Sequence, residues 1–234
     1  LQTNFDCQGI FYGFALMALG MLIHALCILP SKSASPHREP VSIIATLKAV
    51  ACNRDFLHYW WIAALVFTCY FALISVTPLI FMDALKLSEY QYALVLMVYG
   101  VAYLLGGVAA SYLQRRITLS RQMNLGLGLL TLAGVLLTLI VSMDAITTVT
   151  LLTPMLISAL AVTLVRPAAI SAAMLLFSHS AGTAASAGNS IMFLTAAMSS
   201  AALAHAGDYM LMTIALSFVV LSLWGWLTNA RLQR

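Results

Sequence analysis

Thr148 to Phe177 reads TVTLLTPMLISALAVTLVRPAAISAAMLLF, and the class of the protein turns on this stretch. About 20 apolar residues suffice to cross a bilayer. The run is longer than that and holds one charge, Arg166, roughly two-thirds of the way along and directly before Pro167. A guanidinium at membrane depth needs a partner, water or an escape route. Proline removes a backbone donor and bends a helix, which leaves carbonyls free beside the arginine. Two readings stand side by side. Either Arg166 looks into a wet cavity, or the helix tilts and its long side chain snorkels to the headgroups.

The composition fits a membrane setting. Of 234 residues, 62% are hydrophobic and 8% charged, a balance that cannot clothe a soluble surface. Further apolar runs lie on either side, at about Ile10 to Leu29, His58 to Met82, Tyr90 to Leu113, Met123 to Met143, Ala184 to Ala204 and Tyr209 to Thr228. With Thr148 to Phe177 they predict an all-α, polytopic membrane protein of seven transmembrane helices. Pro30 ends the first run, and a polar linker, Ser31 to Pro40, follows with Lys32, Arg38 and Glu39. From Val41 to Phe56, Ile43, Ile44, Leu47, Val50 and Ala51 recur at helical spacing with Lys48 and Arg54 between them, the pattern of a helix lying on a membrane surface. Trp60 and Trp61 open the next span, where amphipathic rings suit the headgroup level. The expected organisation is one helix over 1–30, a cytoplasmic linker with a surface helix over 31–57, and a six-helix bundle over 58–234.

Charge sets the orientation. Lys32, Arg38, Lys48, Arg54, Arg115, Arg116, Arg121, Arg231 and Arg234 fall in one set of alternate loops, and Lys86 alone in the other. By the positive-inside rule the N-terminus is outside, the C-terminus is cytoplasmic and the number of spans is odd. In short loops between apolar runs these cations report topology, and no nucleic-acid partner is implied.

No enzyme apparatus is visible. A Walker loop, G-x-S-x-G and H-E-x-x-H are all missing from the sequence, the five histidines are scattered, and Cys7, Cys27, Cys52 and Cys69 form no C-x-x-C pair. Neither a cofactor nor a metal is expected. The chain starts at Leu1 without a basic segment before the first apolar run, which predicts no secretory signal peptide and a fragment whose front end is missing. Asp6, Glu39, Asp55, Asp83, Glu89, Asp144 and Asp208 all map to loops or span ends. No intramembrane carboxylate is thus available to neutralise Arg166 or to carry a proton. Its counter-charge must come from a part of the protein outside this sequence, from an anionic lipid or from a substrate.

Two stripes stand out within the spans. Gly100, Gly107 and Ser111 share one helix face, read as a close-packing face, while Tyr92, Tyr99 and Tyr103 share a neighbouring one that suits either packing or a cavity wall. Asn189, Met192, Phe193, Ala196 and Ser200 form a stripe whose amide wants hydrogen bonds, from a neighbouring helix or a ligand.

Three stretches are similar to the major facilitator superfamily, in particular its twelve-helix drug:proton antiporters of the Bcr/CflA and MdfA kind. Cys52-Asn53-Arg54-Asp55-Phe56-Leu57 resembles the N-R-x-F-L run entering the seventh helix of those proteins. Ser75-Val76-Thr77-Pro78 followed by Leu87-Ser88-Glu89-Tyr90-Gln91-Tyr92 resembles the end of that helix and the start of the eighth. Gly182-Thr183-Ala184-Ala185-Ser186-Ala187 resembles the G-T-x-S-A opening of the eleventh, displaced by one alanine. The resemblance runs from about Val41 onward.

It implies the C-terminal part of a secondary transporter in a bacterial inner membrane. Such a protein exports small lipophilic or cationic drugs against proton entry by alternating access, with a missing N-terminal six-helix half and the membrane lipids as partners. It further implies a cavity lined by Tyr70, Thr77, Met155 and Phe193, which join Arg166, Asn189, Met192 and Tyr99 from the reading of the residues as the candidate substrate cavity, with Arg115 and Arg116 in the place of the gating loop, which here lacks its aspartate. No family role transfers to Arg166. A seven-helix receptor or photoreceptor shares the topology, but Tyr209 to Thr228 contains no lysine for a Schiff base. A transporter fragment without independent function is the third reading.

Overall fold

In the computed structural model the described residues are 7–28 and 43–232. The linker Ser31 to Pro40 with Lys32, Arg38 and Glu39, the start of the surface helix at Val41, and Arg234 lie outside them. The described chain is helical: α1 (Cys7–Ile28), α2 (Ile43–Cys52), α3 (Arg54–Pro78), α4 (Glu89–Leu113), α5 (Leu119–Ser142), α6 (Thr148–Leu176), α7 (Ala181–Ala204) and α8 (Met210–Leu232). Two units are distinct, residues 1–40 and 41–234. The first contributes α1, an apolar helix without a lysine, arginine or acidic residue. The second is a bundle of α2 to α8.

Among the described residues six helices are long and apolar enough to cross a membrane: α1, α3 with its continuation to Ala84, α4, α5, α6 and α8. Seven spans are expected from the sequence. The seventh, α7, is a helix of 24 residues, but Asn189 and its many serines, threonines and glycines dilute its apolar character below that of the other six.

Local chemistry explains the boundaries. Asn53 takes extended backbone and its Oδ1 accepts the Phe56 N–H at 2.9 Å. This N-cap, with Asp55 in the first turn near the positive end of the helix dipole, separates the short amphipathic α2 from α3. Ser88 and Gln91 form a reciprocal capping box at the start of α4, and Thr147 and Thr150 do so for α6. At the end of α5, Asp144 adopts a left-handed conformation (φ 51°) and the Ala145 N–H reaches the Ile140 carbonyl at 3.0 Å, closing the helix without a glycine. Pro78 does not end α3. The helix runs on as a π-helix over Leu79–Ala84, in which the Leu85 N–H reaches back to the Ile80 carbonyl at 2.9 Å.

α3 and α6 are the most buried spans, and the bundle is built around them. Small residues set the close approaches. A β-carbon on Gly106 of α4 would overlap Thr163 of α6, and one on Gly126 of α5 would overlap Val165 of α6. On α8, polar side chains hold α5: the Asn229 amide donates to Asn124 Oδ1 at 2.7 Å, and Thr131 and Ser222 share a hydrogen bond of 2.8 Å. Gln122 of α5 donates to the Leu164 carbonyl of α6 at 3.0 Å, beside the turn that Pro167 disturbs.

Two expectations are corrected. A β-carbon added to Gly100 or Gly107 would meet no described atom within 4 Å, and Ser111 is exposed, so the small-residue face of α4 is its open face. Val95, Tyr99, Gly106 and Ala110 are buried instead. Trp60 is buried inside the bundle, tilted against Phe56 (ring centroids 6.0 Å), and only Trp61 is exposed.

Candidate functional site

Arg166 lies on α6 directly before Pro167, which sits inside the helix, and its guanidinium carbon is 5.0 Å from the centroid of the Phe67 ring on α3. Phe67 is thirteen residues from the start of α3 at Arg54, about 20 Å of helical rise. The far end of that span, Ala84, is a little farther away. The guanidinium therefore sits among rings, near the middle of the span that runs from Arg54 to Ala84. A cation over a desolvated aromatic face gains about 2 kcal/mol at most, which offsets only part of the cost of holding a charge there.

Phe67 organises the surrounding rings. Phe193 of α7 meets it edge-on (centroids 5.7 Å, 86°), Phe71 stacks on it (5.9 Å, 25°), and Tyr70 lies 6.3 Å away. Tyr70 in turn stacks on Tyr99 (6.0 Å, 15°) and touches Tyr103 (5.8 Å), both of α4. The result is an aromatic wall contributed by α3, α4 and α7, edge-to-face and offset contacts being the favoured ones. Met192 is buried against Phe67, with Ala196 in the same cluster.

Beside the wall a cavity of about 410 Å³ opens between α4 and α6, lined by Tyr103, Gly107, Val162, Thr163, Arg166 and Ile170 among others. The Thr163 hydroxyl is spent on the Ala159 and Leu160 carbonyls of its own helix. Arg166 Nε is buried with no hydrogen-bond partner, and so is the Tyr99 hydroxyl. Asp55, Asp83, Glu89 and Asp144 stand at helix ends, and among the described residues no ion pair reaches Arg166. No cluster of histidine, cysteine or acidic side chains there is suited to a metal.

Of the residues singled out in the sequence, the structure thus brings Arg166, Phe193, Tyr70, Tyr99 and Met192 together. Asn189 is half-buried one turn before Phe193 on the same face of α7. Met155 is fully buried in the main core, eleven residues from Arg166 along α6. Thr77 is buried apart from the wall: its hydroxyl donates to the Ile74 carbonyl at 2.8 Å and shares a 2.9 Å hydrogen bond with Tyr92. Since the one threonine proton is committed to Ile74, Tyr92 is the donor in that pair. Arg115 and Arg116 are exposed in the turn between α4 and α5, with Arg116 5.5 Å from the Tyr112 ring. Phe67 carried no signal of its own in the sequence. The spacing Phe67, Tyr70, Phe71 puts three rings on one helix face, and a count of aromatic neighbours at three and four residues would have found it.

An all-α bundle of long apolar helices, with one cation held on an aromatic ring inside it, is the architecture of a polytopic integral membrane protein. The model of the Major Facilitator Superfamily matches residues 1–200, and the chain belongs to that superfamily of membrane transporters. No curated protein matches it.

Proposed function

We propose that the chain is the C-terminal part of a secondary transporter that exports small lipophilic compounds in exchange for protons, by rocking of two helix bundles around a central site. The observation that carries this reading is the position of Arg166: inside the bundle near the middle of the Arg54–Ala84 span, over the Phe67 ring, and lining a cavity of about 410 Å³. That volume lies within the range of small-molecule pockets, and apolar walls with few polar groups are their usual lining. Export of lipophilic or cationic drugs and proton coupling rest on the resemblance to the antiporters. Within that range, a guanidinium without a counter-charge favours the compounds that carry no positive charge.

The remaining features of the proposal have their own supports. The charge bias supports an orientation with Arg115 and Arg116, the proposed gating turn, in the cytoplasm and the N-terminus outside; a bacterial inner membrane rests on the resemblance to the antiporters. The open face of α4 and the want of an intramembrane carboxylate among the described residues support an N-terminal six-helix half that completes the cavity and supplies the coupling acid.

The test is genetic and uses the full-length gene. Its deletion should sensitise cells to a set of lipophilic toxicants, and the wild-type copy should restore resistance where Arg166→Ala does not. Unchanged sensitivity to every compound in the set would reject export of such molecules.

A further inference from the structure

We infer that the compounds bound at Arg166 are lipophilic anions, each a carboxylate or similar acid on an apolar body. This rests on the transport reading above and narrows its substrate class. A guanidinium lying over a ring uses its face for that contact and keeps its in-plane N–H groups for acceptors. One of those donors, Nε, is closed off from the cavity and makes no hydrogen bond among the described residues. The terminal nitrogens are the donors left to the cavity, and a guanidinium can grip a carboxylate with two parallel hydrogen bonds. Of the other polar side chains at the cavity, Thr163 is spent on its own helix, and Tyr103 and Ser171 are hydroxyls able to donate to the same oxygens. Among the described residues nothing acidic lines it. The rest of the lining, Val162, Pro167 and Ile170 with the Tyr103 ring, suits an apolar or aromatic body.

A cation would meet repulsion at this site, and a neutral molecule could offer an acceptor to the guanidinium but no counter-charge. An unpaired buried donor is costly, and a charged hydrogen bond is among the stronger polar contacts available to a ligand. The anion is therefore the class that gains most from the geometry.

A matched pair of probes tests this on the purified full-length transporter in phosphatidylcholine nanodiscs. 2-Naphthoate and 2-naphthamide share shape and apolar area and differ in charge. The carboxylate should bind roughly ten- to a hundredfold more tightly. Arg166→Gln should bring the two affinities together, and Arg166→Lys should keep part of the difference. Equal affinities in the wild type, or a preference that survives Arg166→Gln, overturn the inference. The wild-type comparison decides alone if the variant does not fold. Repeating it with phosphatidylglycerol in the disc separates the sources of the anion. A preference abolished by that lipid assigns Arg166 to a headgroup phosphate and overturns the inference too. Movement of both probes in proteoliposomes under an imposed proton gradient distinguishes the two proposals. Driven transport of the amide without carboxylate preference keeps the transporter and rejects the anion. Preferred binding of naphthoate without movement of either probe keeps the anion site and rejects the transporter.

Discussion

Trp60 of α3 lies against Gly188 of α7 so closely that a β-carbon on the glycine would overlap the six-membered ring of the indole. The ring is itself buried and cannot swing aside without displacing Phe56, whose other neighbour is Phe177 (centroids 5.3 Å, 88°). Gly188→Ala should cost about 1–3 kcal/mol, the usual range for overpacking. Thermal unfolding in detergent measures it, and adding Trp60→Leu should recover part of the loss, because the two substitutions share one volume.

Neighbouring glycines on α4 should behave in opposite ways. A β-carbon on Gly106 meets the Thr163 hydroxyl, which two backbone carbonyls hold in place. Gly106→Ala should therefore lower the unfolding temperature, with Thr163→Ala as its partial rescue. Gly107 lines the cavity and meets nothing within 4 Å. Gly107→Leu should leave the unfolding temperature within error of the wild type and reduce export by filling the space. A matching loss of stability from both glycines would contradict the assignment of the two faces.

Phe67 should matter through its quadrupole as well as its size. Replacing it with leucine removes the ring beneath Arg166, and a lost cation–π contact of about 0.5–2 kcal/mol should appear as a loss of folded-state stability. Tyrosine at the same position keeps the ring and should retain most of that stability. Thermal unfolding of the purified full-length protein in detergent distinguishes them, and equal losses from the two variants would show that the ring face gives Arg166 no support.

The Thr77–Tyr92 hydrogen bond joins α3 to α4 away from the cavity. A double-mutant cycle with Thr77→Val and Tyr92→Phe should return a coupling near ~0.6 kcal/mol and no more than about 1.7 kcal/mol, the span for interhelical pairs in membranes. Export should fall only in proportion to the loss of folded protein. A drop in transport at full stability would place Thr77 in the substrate path.

Much of this architecture was legible before any coordinates. Hydropathy sets the spans because backbone groups in lipid must be satisfied within a helix, and the Asn53-Arg54-Asp55-Phe56 run reads as a cap with its buried aromatic. Arg166 stood out because a lone cation in an apolar run has no cheap explanation. What stayed hidden was which side of each helix turns inward. Lipid is as apolar as a protein core, so a stripe of Gly100, Gly107 and Ser111 looks the same whether it meets a neighbour or is left open. Phe67 was hidden for the same reason, one ring in a run where almost every residue is apolar. Trp60 read as an interfacial anchor because its position along the helix is visible in sequence and its azimuth is not.

The wide turn after Pro78 holds one more residue per turn than the helix that leads into it. Removing any single residue from Leu79–Ala84 would let the segment relax to ordinary winding, and five residues of ordinary helix turn the chain about as far as six of the wider one. A one-residue deletion there would be absorbed as a rewinding, leaving Leu85 and Leu87 on the core they now touch.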